Sequence, residues 1–189
     1  MKLAKLVLAS SLVASCAFAE GAFVGVVGGY NFMTKIEVKE TDLSIKDKNA
    51  FFGVKGGYDF GAYRAYGQYN YNLKTSENYD IFTSETKGHE FLVGADWTPS
   101  INENLKLAVG PYLGYARFNF EESDGIDSYS GNLNGFVFGG KVGAIFDTGV
   151  GEFEAGVKAD KTWLKAKEDG IANQDKTTVG LYLGYNFKF

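Results

Sequence analysis

The sequence has 189 residues, with 19 Lys and Arg against 23 Asp and Glu and a net charge of −4, a size for one domain that lacks the basic excess nucleic-acid binding requires. Twenty-five glycines, 16% aromatics and only two prolines suit many short strands joined by turns rather than a helical bundle. A mean hydropathy of −0.15 leaves open both a soluble protein and a membrane barrel, because an alternating strand carries as many polar as apolar residues.

Chain order begins with a targeting segment. Lys2 and Lys5 precede the apolar run from Leu6 to Ala14, and Ala17-Phe18-Ala19 supplies small residues just before Glu20. Residues 1–19 therefore read as a cleavable signal peptide and 20–189 as the mature domain. Val13-Ala14-Ser15-Cys16 also has the form of a lipoprotein signal, in which Cys16 would be acylated, but cleavage after Ala19 is favoured by the small residues and by the strand-like sequence that follows. No later stretch approaches the roughly 20 apolar residues of a spanning helix.

From Ala22 onward the period is two, and it recurs eight times. Ala22, Val24, Val26, Gly28, Tyr30 and Phe32 share one parity, with Gly25, Val27, Gly29 and Asn31 on the other. Phe52 to Phe60 and Tyr63 to Tyr71 continue the pattern, with Lys55, Asp59, Arg64 and Gln68 on the polar parity. Phe91 to Trp97 opposes Glu90 and Asp96, and Leu105 to Tyr115 opposes Lys106, Ala108 and Gly110. Phe136 to Phe146 opposes Gly139, Lys141 and Asp147; Phe153 to Ala159 opposes Glu154, Lys158 and Asp160. The last run alternates from Val179 to Phe189.

Eight such strands make either a soluble sandwich or lipocalin with its apolar parity inward, or a membrane barrel with that parity in lipid. Three features favour the membrane. The less apolar parity is rich in glycine and carries scattered charge, as a narrow eight-stranded interior requires. Aromatics gather at strand ends: Tyr58, Phe60, Tyr63, Trp97, Phe146, Phe153, Phe187 and Phe189 at the end near the N-terminus, and Tyr30, Phe32, Phe52, Tyr69, Tyr71, Phe91, Tyr115, Phe136 and Trp163 at the other. Connections alternate: tight at Asp59–Ala62, Pro99–Asn104 and Thr148–Gly151, and long, polar loops around Glu40–Lys48, Ser76–Lys87, Glu121–Asn134 and Ala166–Asp175.

These residues together resemble the small eight-stranded outer-membrane barrels of Gram-negative bacteria, the OmpA transmembrane-domain and OmpX class. The terminal run Tyr182-Leu183-Gly184-Tyr185-Asn186-Phe187-Lys188-Phe189 resembles the assembly signal of that class, through Gly184 and the aromatics Phe187 and Phe189; Tyr182 stands where a polar residue is more usual. The resemblance implies an all-β, eight-stranded antiparallel up-and-down transmembrane barrel in the outer membrane, made with the help of barrel-assembly machinery and periplasmic chaperones. It also implies contact with outer-membrane lipid and lipopolysaccharide, and surface loops open to a host ligand that the sequence does not name.

With the polar parity inward, the lumen receives Lys55, Arg64, Lys106, Lys141, Lys158 and Lys188 against Asp59, Glu90, Asp96, Glu152, Glu154 and Asp160. Equal numbers of opposite charge in a tight space point to cross-strand pairing, with Lys55, Arg64, Glu90, Lys141, Glu154 and Lys158 as the expected network. A plugged structural core is the expectation for eight strands, and a gated pore the alternative.

Chemistry elsewhere is sparse. His89, the sole histidine, has Ser84, Glu85 and Asp80 before it, the residue types of a serine-activating site in lipid A-modifying barrels, but no motif surrounds it and a rim histidine is the plainer reading. Glu121, Glu122, Asp124 and Asp127 lack the spacing of a calcium loop. Gly25, Gly28 and Gly29 lie within alternating sequence with no helix after them, which excludes a phosphate loop. Lys35, Lys39, Lys74, Lys87, Arg117, Lys161, Lys165 and Lys167 fall near the outer rim, where lipopolysaccharide phosphates lie. No cofactor or metal is expected. The sequence thus reads as a structural, non-enzymatic barrel with recognition or adhesion in its loops, a small channel being second, and a lipid-modifying enzyme or soluble lipocalin-like binder behind.

Overall fold

The computed structural model describes residues 21–38, 44–79, 82–123, 128–166 and 173–189; the expected signal peptide and the alternative at Cys16 lie outside them. Alternation becomes eight strands: β1 (Ala22–Val38), β2 (Ser44–Asp59), β3 (Tyr63–Tyr79), β4 (Phe82–Trp97), β5 (Leu105–Ser123), β6 (Ser128–Asp147), β7 (Gly151–Ala166) and β8 (Gln174–Lys188). Each pairs antiparallel with the next, and β8 returns to β1 to close the barrel. Closure leaves no edge, which a hydrocarbon surrounding demands because it offers the backbone no partner. Partners followed from Gly25 through Lys55, Gln68, Leu92, Gly114, Val137, Thr162 and Lys176 return to β1 at Ile36, not at Gly25. That stagger is the strand tilt that closing a twisted sheet imposes.

The direction of the side chains decides the medium. Leu183 is 60% exposed and Val157 47%, whereas Lys55 is 4% and Lys141 8% exposed. Val26, Val54, Val93, Leu113, Phe138 and Leu181 share the outer surface with them. A continuous greasy band around a charged centre is inside out for water and right for a bilayer. Glycine on the inner parity makes room for large inward side chains: a Cβ on Gly94 would collide with the Tyr66 ring, and one on Gly143 with the Tyr182 hydroxyl.

Two of the tight turns repeat one device. Asp59 Oδ1 accepts from Gly61 N at 2.8 Å, Asp147 Oδ1 accepts from Gly149 N at 2.8 Å, and both glycines adopt positive φ, +90° and +85°. At the opposite end the structure corrects the expected loops. β2 is already paired at Ser44, β3 and β4 pair up to Tyr79↔Phe82, and β5 and β6 up to Ser123↔Ser128. Most of the polar stretches read as loops are strands that continue past the membrane, because apolar alternation stops where lipid ends whereas backbone pairing does not. The strands run to 15–20 residues, well beyond the roughly 9–11 that cross a bilayer. Pairing between β2 and β3 stops at Phe51↔Asn72, so the outer parts of the first two hairpins separate.

A basic residue in the outward band tests this orientation. Leu183→Arg is expected to cost about 2–4 kcal/mol at mid-bilayer depth, read as a lowered urea midpoint for folding into vesicles. Val150→Arg, at a tight turn where Val150 is 78% exposed, is expected to leave the midpoint unchanged.

Candidate functional site: the packed lumen and the outer rim

Period two sends one residue of each pair inward, and the register then decides which of them meet. At the centre stands Glu154 on β7. Lys55 donates to its Oε2 at 2.6 Å, Lys141 to its Oε1 at 2.7 Å, and Asn186 to Oε2 at 3.3 Å. Lys141 Nζ also lies 2.9 Å from Asp96 Oδ2. The Tyr66 ring packs against both ammonium groups, 4.5 Å from Lys55 Nζ and 4.4 Å from Lys141 Nζ. Nearer the tight turns, Arg64 donates to Glu152 and to Asp59, both at 2.7 Å, and Lys106 reaches Asp59 at 3.3 Å. Lys188 closes this lower group by bonding Asp147 and lying 3.7 Å from Glu152. A third group joins Lys158 to Asp160 at 3.3 Å, with the Tyr112 hydroxyl donating to the same carboxylate at 2.8 Å.

Glu90 corrects the expected network. It is buried but makes no ion pair among the described residues; it accepts from Asn70 Nδ2 at 3.2 Å. Its register places it opposite Asn70 and Ala116, neither of them basic. The other five expected members, Lys55, Arg64, Lys141, Glu154 and Lys158, are all buried and paired, in three groups rather than one.

The sequence reading did not anticipate apolar packing inside. Leu92, Tyr112, Ala116, Phe118, Leu133, Val137 and Leu164 form a buried layer toward the outer end, and Val27, Phe51 and Tyr182 a smaller one. Tyr182 points inward and lies under Lys141, 5.4 Å from ring centre to Nζ, which accounts for its departure from a polar residue at that position. Lys176 was also missed; it is buried with its Nζ 4.2 Å above the Phe118 ring. Large residues on the glycine-rich parity were the available signal. A cavity of about 20 Å³, room for about one water, lies between Lys55, Tyr66, Lys141 and Lys158.

On the outer surface the aromatics take the two expected bands. Tyr58, Phe60, Tyr63, Trp97, Phe146 and Phe153 are exposed around the tight-turn end, together with Phe187 and Phe189; Trp163 is exposed at the opposite rim with Tyr30, Phe91, Tyr115 and Phe136. Ring pairs tie neighbouring strands, as with Phe153 and Tyr185 at 4.8 Å and Tyr69 and Phe91 at 5.0 Å. His89 also faces outward. Its Nδ1 is 2.7 Å from the Tyr69 hydroxyl, and Ser84 lies five residues up the same extended strand, about 16 Å away at ~3.3 Å per residue. That separation does not support a hydrolytic Ser–His pair; Asp80 lies outside the described residues. Among the described residues no three His, Cys, Asp or Glu side chains gather as metal ligands.

No protein-family model and no curated protein matches the sequence. Solved structures do. Neisserial surface protein A is 16% identical with a TM-score of 0.64, over 90% of this chain and 98% of that one. The attachment invasion locus protein Ail of Yersinia pestis is 19% identical with a TM-score of 0.58, over 89% of this chain and 100% of that one. Outer membrane protein H of P. aeruginosa is 19% identical with a TM-score of 0.50, over 89% and 99%. The chain has the fold of the small outer-membrane barrels. With its greasy band outward, it is an integral membrane barrel of that type, and its lumen is packed with paired charges and inward rings.

Glu154→Gln leaves Lys55 and Lys141 without their shared carboxylate, and is expected to destabilise the barrel by about 3–5 kcal/mol. Adding Lys55→Met is expected to recover part of that loss, because Lys141 keeps Asp96. Urea midpoints of the wild type and the variants check the coupling.

Proposed function

We propose that the chain is a structural outer-membrane barrel whose long outer hairpins act in surface recognition or adhesion, without catalysis. The observation that carries this reading is the division of each strand into a membrane-crossing part and an outer part that stays paired in water. Paired hairpins hold their exposed residues in fixed register, which lowers the ordering cost of binding a partner compared with a slack loop. Ail, of the same fold, is named for attachment and invasion, which is in keeping with a recognition role. The lumen favours a scaffold over the channel alternative, since three ion-pair groups and an apolar layer fill it in series.

Biogenesis follows the same reading. Gly184, Phe187 and Phe189, with Tyr182 turned inward, form the terminal segment that barrel-assembly machinery would engage after delivery by periplasmic chaperones. Phe189 N donates to Ala22 O at 2.9 Å, so this segment also completes the β8–β1 seam.

In planar bilayers the purified barrel is expected to show no conductance steps above background; stable steps in the wild type would favour the channel. Closing the β3–β4 hairpin with a two-residue turn across the Thr75–Thr86 pair is expected to leave heat-modifiable gel migration intact. The same variant displayed on cells is expected to lose adhesion to immobilised matrix proteins, and unchanged adhesion would move recognition to another hairpin.

A further inference from the structure

Pairing between β2 and β3 ends at Phe51↔Asn72, yet both strands run on, β2 outward to Ser44 and β3 to Tyr79. Each keeps its other neighbour: β2 stays on β1 as far as Glu37↔Ser44, and β3 on β4 as far as Tyr79↔Phe82. The barrel is therefore forked beyond its outer aromatics. Residues 44–50 and 73–79 each turn one side of their backbone to the gap, with no strand partner there among the described residues. The β3 arm explains the fork. Between Asn72 and Thr75 it carries one residue more than β4 does between Gly88 and Thr86, and such a bulge bends its strand. At the foot of the fork, side chains take over from backbone: Asn31 donates to Asn49 Oδ1 at 3.0 Å and Asn49 to Asn72 Oδ1 at 2.9 Å. These amides staple β1, β2 and β3 together where the ladder stops, and leave Asn72 Nδ2 buried without an acceptor.

The two edges are not equivalent. A bulged edge is a poor template for another strand, whereas residues 44–50 of β2 carry no extra residue against β1 and no proline. Their unpaired N–H and C=O groups stand in an even row about 23 Å long, at ~3.3 Å per residue. Backbone in that state has one chemical complement, another extended strand. Charge narrows the choice. Period two puts Lys46 and Lys48 on one face of β2, and the register sets Lys35 of β1 against Lys46. Among the described residues on that face of the hairpin Glu37 is the one acid, and Lys35 already holds it. Across the gap the nearest acid on the same face is Glu85, on β4 and one strand behind β3. Two copies of the β2 edge would set lysine against lysine, which disfavours pairing of the chain with itself; a guest with carboxylates at alternate positions meets the opposite charge.

We propose that residues 44–50 of β2 bind an extended acidic segment of a partner protein by strand addition, the guest lying antiparallel to β2 in the fork with the β3 arm along its far side. Main-chain bonds supply the affinity, and alternate carboxylates opposite Lys46 and Lys48 supply the choice of guest. The bend at the β3 bulge keeps the fork open for it, and the asparagine staple holds β2 and β3 together beneath it. This site rests on the reading of the outer hairpins as recognition arms and names the chemistry of their partner.

The probe is the tagged peptide Thr-Glu-Val-Glu-Val-Glu-Thr, blocked at both ends and added to the folded barrel in maltoside micelles. Fluorescence anisotropy reads its binding, and NMR follows amide hydrogen exchange along the chain. The peptide is expected to bind at least about tenfold more tightly than one of the same composition with its glutamates consecutive. It is also expected to slow exchange at alternate residues within 44–50, leaving the outer parts of β5 and β6 unchanged. N-methylation of one alternate set of peptide amides is expected to abolish binding, because a guest strand turns only that set toward β2. Lys46→Glu combined with Lys48→Glu is expected to lose the acidic peptide and gain its lysine counterpart, while Lys165→Glu on β7 changes neither. Equal affinity for the consecutive-glutamate peptide, binding that survives both N-methylated sets, or no slowing within residues 44–50 would overturn the proposal, and each is read on the wild type whether or not a variant folds. Cell adhesion separates the two readings. Adhesion by cells whose purified barrel ignores the peptide refutes strand addition alone, whereas peptide binding by a barrel whose cells never adhere refutes the recognition role.

Discussion

Hydrocarbon offers a peptide group nothing to bond to, and the molecule is organised around that fact. A strand placed in lipid must give each N–H and C=O to a neighbour, and the last strand must find the first. The β8–β1 ladder meets the demand from Phe23↔Lys188 to Val38↔Gln174. Once the ring is closed, the alternation of side chains has only two destinations, and the lipid takes the apolar one. The tilt that closure requires then sets which inward residues share a level.

An eight-stranded interior is narrow, so whatever enters it must fill it and satisfy itself. Glu154 shows how both conditions are met. Two ammonium groups and an amide converge on its carboxylate, and the Tyr66 ring packs against both ammonium groups. Glycines on adjacent strands, such as Gly94 and Gly156, create the space that Tyr66 and Tyr182 occupy. Packed tyrosines and buried ion pairs are therefore one construction, in which a small residue on one strand permits a large one on the next. A core built this way fills the lumen, which turns attention to the two ends of the barrel.

The two ends differ in kind. At the N-terminal end, short turns with aspartate-capped glycines return the chain at once. At the other, the strands outlast the membrane and the first two hairpins part above Phe51↔Asn72. The outer rim is itself uneven, with salt bridges at Lys35–Glu37 on β1 and Lys161–Asp175 between β7 and β8, whereas His89 and Arg117 are bonded to the neutral side chains of Tyr69 and Asn132. Charge distribution around this rim bears on how lipid headgroups arrange beside the barrel, and so on the surroundings from which the hairpins project.

Strand number, antiparallel order, the outward parity and most of the inward charges were legible in the sequence, since period two is a local property and the lipid band is written in apolar residues. Lys55, Lys141 and Glu154 were readable as neighbours in kind, because a closed lumen makes opposite charges seek each other. The partition of the inward charges into three groups, the lack of an ion pair at Glu90 among the described residues and the particular partners that Tyr66, Tyr112 and Tyr182 meet were decided by register and tilt, which depend on contacts between strands far apart in the chain. The outer hairpins were decided there as well: polar sequence reads as loop when alternation is the only signal, and only pairing with a neighbour reveals it as strand. Hydrophobic patterning is set residue by residue, whereas the meeting of side chains is a property of the closed barrel.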